Sequence, residues 1–492
     1  MVAKSATFVS GSQRSGSSSE PEDETILRRV LRQVATGLLV LSVVVTMLTQ
    51  GAVYPVSISL ACILMAASMA LAYLAMGLPR ATRSLFVAVL ACWLFAVLWS
   101  VVQTLDTPFG LAGHSAWRVL PEFGIKATAS ISPMPGAVPD AILSISLPAM
   151  AILTVLMLFR RDSVIERALR VFAVAGGLMA VFALFQYVAF PRSLMFGDKQ
   201  YYLGNLTAPF VNRNTAATFY GVTLIALLST YKGFRFQLIP GSPFLYRRSG
   251  WTPAQAMRWA LLVFAAFGAV LATSSRGGVL ATFIALFAMF TLATFFPATP
   301  HTEAGLAART TEDGKTRVIR IIGILLALLI VAGVFAGRVV LRAEVQGSED
   351  GRFCVLPGIL AAIRDNLVLG AGPGAFINVF PAYRDAACGV TGVWDMAHNV
   401  YLDGMLGLGL PFIMVVLVLF ATVMQLLRRG LLNRKSRRFV VVGGIASIIL
   451  VAIHSAIDFS LQIPGFATWW AVYLGMIGSI GGGRLSSSEM KN

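Results

Sequence analysis

Charged side chains are scarce in this chain. Asp, Glu, Lys and Arg make up 12% of its 492 residues, and acidic ones are the fewer, 22 against 39 basic. A soluble domain carries about 25% charged residues, so a globular enzyme of ordinary surface is excluded. Histidine and cysteine are scarcer still, four of each. No His/Cys cluster has metal-ligand spacing, and the carboxylates Asp350, Asp385 and Asp395 form no Asp-x-Asp pair. The residues therefore predict no metal and no cofactor. The run Gly370-Ala371-Gly372-Pro373-Gly374 lacks a preceding strand and GxGxxG spacing. It reads as turn geometry.

What fills the chain is apolar: 57% of residues, with mean hydropathy +0.78. At roughly 20 apolar residues per spanning helix, the pattern predicts an all-α polytopic membrane protein with about twelve transmembrane helices. The apolar runs lie near 34–53, 56–76, 84–103, 141–159, 168–190, 215–231, 257–273, 278–297, 319–339, 401–427, 439–456 and 463–483. The run at 215–231, with Thr215, Thr218 and Thr223, has the weakest pattern. Residues 1–33 read as a cytoplasmic tail, Ser- and Glu-rich over 1–25 and expected to be disordered, and the first span as an uncleaved anchor.

Basic residues give the orientation. With a cytoplasmic N-terminus, the inward segments collect Arg28/Arg29/Arg32, Arg80/Arg83, Arg160/Arg161/Arg167/Arg170, Lys232/Arg235/Arg247/Arg248, Arg309/Lys315/Arg317/Arg320 and Arg428/Arg429/Arg434/Lys435/Arg437/Arg438, as the positive-inside rule requires. The net charge of +17 then reflects topology and anionic lipid headgroups. It forms no single stripe for nucleic acid. The outward segments are 104–140, 191–214, 340–400 and 454–463. The longest, 340–400 between spans nine and ten, has apolar residues at helical spacing (Ile359, Leu360, Ile363, Leu367) and is expected to be partly helical, with a helix lying on the membrane. Cys354 and Cys388 both fall in this loop; an oxidising compartment permits a bridge, which spacing alone does not establish.

Polar groups at the outer face are the candidates for chemistry. Ser275-Arg276-Gly277-Gly278 is either a hairpin turn whose Arg snorkels to headgroups or an anion site. Asn212-Arg213-Asn214 caps a helix, or seats a phosphate at its N-terminus. Arg352 reads from composition as a solvated loop charge. His398, with Asn399 and Asp403, stands where the long loop meets the tenth span; the choice there is between a structural histidine and a general base. Asp458 beside a membrane span needs a partner, and His454 or an arginine would serve.

Together these patches resemble one family. Phe210-Val211-Asn212-Arg213-Asn214, the Ser275–Gly278 turn, Gly351-Arg352, the 370–374 glycines, His398-Asn399-Val400-Tyr401-Leu402 with Gly407-Leu408-Gly409, and His454-Ser455 with Asp458 and Pro464 are similar to the marks of the O-antigen ligase and polymerase superfamily. The resemblance runs from about 200 to 475. It divides the chain into an N-terminal five-helix membrane region (34–190), a ligase-like region (191–483, including periplasmic loop 340–400) and a cytoplasmic tail (484–492). It implies a bacterial inner-membrane, metal-independent glycosyltransferase that moves a glycan from undecaprenyl diphosphate to an acceptor hydroxyl at the periplasmic face. The acceptor would be lipid A–core for a ligase, a lipid-linked repeat unit for a polymerase, or Ser/Thr for a protein O-oligosaccharyltransferase. On this reading Arg276, with Arg213 and Arg352, holds the diphosphate. His398 is the base, and Asn212, Asn214, Asn399, Asp403, His454 and Asp458 support them. The rival class is a flippase or transporter of lipid-linked glycans, which would need charges lining a central path.

Overall fold

The computed structural model describes residues 26–231 (except 108, 109, 112 and 127), 252–297, 322–323, 351–385 and 392–483. The membrane helices are α1 (Ile26–Leu48), α2 (Pro55–Met76), α3 (Arg83–Val102), α4 (Val138–Leu158), α5 (Asp162–Ala189), α6 (Arg213–Thr230), α7 (Pro253–Ala272) and α8 (Arg276–Phe295). After α9 (Gly351–Asp365) and α10 (Val400–Leu408) come α11 (Leu410–Asn433), α12 (Arg438–Ser455) and α13 (Pro464–Gly482). Every apolar run within the described residues falls on a helix; the run at 319–339 lies outside them. A short hairpin, β1 (Ser193–Leu194) with β2 (Gly197–Asp198), is antiparallel and follows α5.

Nine described helices (α1–α5, α7, α8, α11 and α12) are long and apolar enough to cross a membrane. The helices α6 and α13 are of 18 and 19 residues but carry Thr, Ser and Gly, because both are enclosed by other helices rather than by lipid. Two expectations need correction. First, α1 begins at Ile26, inside the stretch assigned to the tail. Second, the run 401–427 is not one helix. It breaks at Gly409 (φ +71°) into α10 and α11, and α11 continues through Arg428 and Arg429 to Asn433.

The centre of the bundle is α6. Everything from Asn214 to Thr230 is buried, and neighbours approach it through small residues: Gly176 of α5 against Thr223, Gly221 against Thr282 and Leu450, Gly443 of α12 against Ser229. Such contacts drive helix association where lipid offers no hydrophobic gain. Thr230 returns its hydroxyl to the Ala226 carbonyl at 2.6 Å, whereas the Thr215 and Thr223 hydroxyls are buried without a hydrogen-bond partner among the described residues. On the other side of the core α13 meets α4 and α3 through Gly475 and Gly478.

The two ends of the bundle differ in charge. At the predicted cytoplasmic end the buried Arg434 is ion-paired with Asp162, and Arg437 reaches Asp162 at 3.2 Å and Glu166 at 2.8 Å. These bonds tie the α11–α12 connection to the start of α5. At the opposite end, α9 has a small core of its own. Val355, Ile359, Ala362 and Ile363 pack with Ala371, Phe376, Phe380 and Ala397, while Leu360 and Leu367 stay exposed. The helix thus buries its stripe against its own loop. Cys354 is disulfide-bonded and Cys62 and Cys92 are free; Cys388 lies outside the described residues. The 370–374 strip runs beside the α10–α11 break: Ala371 N–H donates to the Leu406 carbonyl at 2.7 Å and Gly372 N–H to that of Gly407 at 2.9 Å.

Candidate active site

The connection between α12 and α13, residues 456–463, gathers the outer face. Asp458 is fully buried, and a buried carboxylate must be paired or hydrogen-bonded. Its Oδ1 accepts from Asn214 Nδ2 at 2.9 Å, and its Oδ2 accepts from the Ser460 hydroxyl at 2.5 Å. Asn214 in turn accepts from the Ser275 hydroxyl at 2.7 Å. One carboxylate therefore sets the first turns of α6 and α8 against each other.

His454 closes the same network. Its Nδ1 lies 2.6 Å from the Thr218 hydroxyl, which is 2.9 Å from Ser460 Oγ. Because Ser460 gives its proton to Asp458, the Thr218 proton can go to Ser460, and Nδ1–H then donates to Thr218. When the ring is neutral, that order leaves Nε2 as the acceptor nitrogen. The ring lies against the start of α8: a Cβ at Gly277 would stand 3.3 Å from Nε2 and 2.4 Å from Ile457. Glycine gives room for that approach. The direct partners of Asp458 are Asn214 and Ser460, and His454 is linked to it only through Thr218 and Ser460.

The histidine loop is fixed from both sides. Asn399 caps α10, accepting from the N–H of Tyr401 and Leu402 at 3.0 and 3.1 Å, and its amide donates to the Ala456 carbonyl at 2.8 Å. Asp403 accepts from the Ala397 N–H at 2.9 Å and from the side chain of Gln462. Burial raises the Asp403 carboxyl above its ordinary value, and these two hydrogen bonds oppose the shift. So Asn399 and Asp403 hold the backbone on either side of His398, whose own φ is +51°. The His398 ring packs edge-on to Phe459 at 4.9 Å and Trp394 at 5.4 Å.

Three helix N-termini, those of α6, α8 and α10, are thus bonded to or packed on one eight-residue connection. Each end carries roughly half a positive charge, and unpaired N–H groups at such ends bind anions. Arginines stand at two of them. Arg276 is the first residue of α8 and is exposed, with no hydrogen bond or ion pair among the described residues. Arg213 is the first residue of α6, half-buried, with its guanidinium 5.5 Å from the Tyr202 ring centre. Asn212 caps α6 through the Asn214 N–H at 2.6 Å. The Arg352 side chain lies outside the described residues.

Sequence reasoning missed Thr218, Ser460 and Gln462 as partners in this network. A signal existed for the first: Thr218 is one helical turn after Asn214 and so shares its face. Ser460 and Gln462 had none, since their role depends on how the connection folds back.

Residues 261–417 match the family model described as O-antigen ligase. Over that stretch the chain is similar to the O-antigen ligase family, which supports the resemblance to the O-antigen ligase and polymerase superfamily. The match takes in Arg276, His398, Asn399 and Asp403 and is shorter than the resemblance read from 200 to 475. No curated protein matches the chain. The apolar helices and this match together indicate a multi-pass membrane protein.

Proposed function

We propose that this chain transfers a glycan from undecaprenyl diphosphate to a sugar hydroxyl at the periplasmic face of the inner membrane, as its similarity to the O-antigen ligase family suggests. The observation that carries the reading is the convergence of three helix N-termini, two of them beginning with arginine, on the connection that also supports the His398 loop. A diphosphate leaving group needs fixed positive charge, and a guanidinium offers it two parallel hydrogen bonds. Arg276 and Arg213, with Arg352, supply that charge and stabilise it as it grows in the transition state. His398 takes the acceptor proton as the hydroxyl oxygen attacks the anomeric carbon and the bond to the diphosphate oxygen breaks. His454, Asp458, Asn214 and Asn212 hold the arginine-bearing turns, and Asn399 and Asp403 the histidine loop. The residues present hold no metal in this scheme; arginine charge takes the place of a cation.

A flippase would need buried charge along a central path. Among the described residues the buried or half-buried ionic clusters sit at the two ends, Asp458 with His454 at one and Arg434 with Asp162 and Glu166 at the other. That separation favours transfer over translocation. The test is release of polyprenyl diphosphate from a synthetic lipid-linked glycan by the purified chain in detergent, with rough lipopolysaccharide or a second lipid-linked unit as acceptor. Transfer to either is the expected result. Movement of donor across proteoliposomes without any transfer would reverse the choice.

A further inference from the structure

The arginine-bearing helix ends explain how an anion is held, and leave the hydroxyl-bearing partner without a seat. A cavity of about 160 Å³ lies on the other side of the His398 loop, between the α1–α2 turn, the start of α4 and the α12–α13 connection. Its walls include Ala52, Met396 and Pro464, and its polar groups are Asp140, Ser144 and Gln462.

The unspent side-chain oxygens in this cavity are acceptors. Gln462 gives one amide N–H to Asp403, and its Oε1 is buried without a hydrogen-bond partner. Ser144 donates its proton to the Asp140 backbone carbonyl at 3.0 Å, which leaves its oxygen free to accept. The Asp140 carboxylate, in the first turn of α4, takes no hydrogen bond among the described residues. Among the described residues the lining has three acceptor side chains and no cation, a poor seat for a phosphate. They fit a neutral ligand rich in donors, and vicinal hydroxyls on a sugar ring are that chemistry. The size agrees: drug-sized ligands occupy about 300–1,000 Å³, and this space suits a single ring.

We propose that this cavity is the subsite for one sugar ring of the acceptor glycan, held through its hydroxyls by Asp140, Ser144 and Gln462. The proposal rests on the transferase reading and adds the acceptor's place to it. Gln462 is the link, since it touches the cavity on one side and on the other the carboxylate that fixes Ala397, next to His398. A ring seated there lies against Met396, in the segment that leads into His398.

The experiment separates acceptor from donor. Binding of delipidated core oligosaccharide, and of a repeat-unit oligosaccharide, is measured on the full chain in detergent, alongside steady-state transfer with each substrate varied in turn. Asp140→Asn and Ser144→Ala are compared with wild type, with the thermal midpoint as a folding control. Losing a hydrogen bond to a carboxylate weakens binding by about tenfold or more. The expected result is that Asp140→Asn weakens sugar binding and raises the acceptor KM by that factor, leaving the donor KM unchanged, with a smaller effect for Ser144→Ala. Ser144→Leu, which fills the space, should abolish sugar binding while the protein still melts cooperatively. Unchanged acceptor KM and binding in all three variants would overturn the subsite, and so would equal changes in donor and acceptor KM. A wild-type chain that binds sugar in a manner sensitive to Asp140 but transfers nothing would keep the subsite and remove the transferase reading. Wild-type transfer with no sugar-binding change in Ser144→Leu would do the reverse.

Discussion

At the scale of single residues the question is which group does chemistry and which holds it. If His398 is the base, His398→Ala should fold normally and lose about 10²–10⁴-fold in transfer, measured per folded molecule from a synthetic polyprenyl diphosphate donor. Arg276→Lys keeps the charge but loses the fork, and should cost about 10²–10³-fold with a weaker donor KM. Near wild-type transfer by His398→Ala would move the base to His454, whose Nε2 faces the start of α8. Asp403 offers a check that activity does not touch. Its carboxyl lies above the ordinary 3.8 in the fold, so the folded state binds the proton more readily than the unfolded chain. Stability contributed by that proton is complete below 3.8 and is lost as pH rises through the folded value. Asp403→Asn cannot titrate. Its melting temperature relative to wild type should therefore climb over that window and then level, on top of a constant loss from the Ala397 or Gln462 bond. A difference that stays flat with pH would mean the carboxyl titrates at its ordinary value.

Among the helices, Gly409 separates two elements that composition joins. It has φ +71° and ψ −151°, a region open only to glycine, and a Cβ there would stand 2.6 Å from Gly370 N and 2.7 Å from the Val368 carbonyl. Gly409→Ala should cost about 1–3 kcal/mol from backbone strain alone, seen as a lower melting temperature. Melting at the wild-type value would mean that α10 and α11 can run on as one helix. This break also marks the limit of what hydropathy can read. The runs on α1–α5, α7 and α8 were legible because lipid-facing and core-facing sides are both apolar, so length alone identifies them. The α10–α11 break was not, since nothing local to 401–427 reports that the 367–372 strip lies against it. The weak pattern over 215–231 misled in the opposite sense: Thr215, Thr218 and Thr223 mark the most enclosed helix, not the least secure one. At the site, the residues were legible as short polar runs at outer helix ends. Their pairing was not, because Asn214 with Asp458 spans 244 residues of chain.

For the whole molecule, the separation of chemistry to one end depends on topology, and topology rests on charge. The end that carries Arg434 and Arg437 also carries the ion pairs to Asp162 and Glu166, so its orientation is set by groups that are fixed in the fold. Positive residues resist translocation, so the proposed topology has this end in the cytoplasm and the α6, α8 and α10 N-termini outside it. Helix directions tie the two ends together: one missed span after α5 would put Asn212 and Ser275 on opposite faces, yet Asn214 binds Ser275 directly. Two exposed serines report on the two ends, Ser115 in the loop after α3 and Ser163 at the start of α5. The native thiols Cys62 and Cys92 are buried, and Cys354 is disulfide-bonded, so none of the three competes for the label. A cysteine in place of Ser115 should react with a membrane-impermeant maleimide on intact spheroplasts, whereas one in place of Ser163 should react only after permeabilisation. The reverse pattern would turn the bundle over and put the arginine-bearing helix ends on the side of the membrane where nucleotide-activated sugars, not lipid-linked glycans, are the donors at hand. Labelling of both from outside would be incompatible with α4 as a single spanning helix between them.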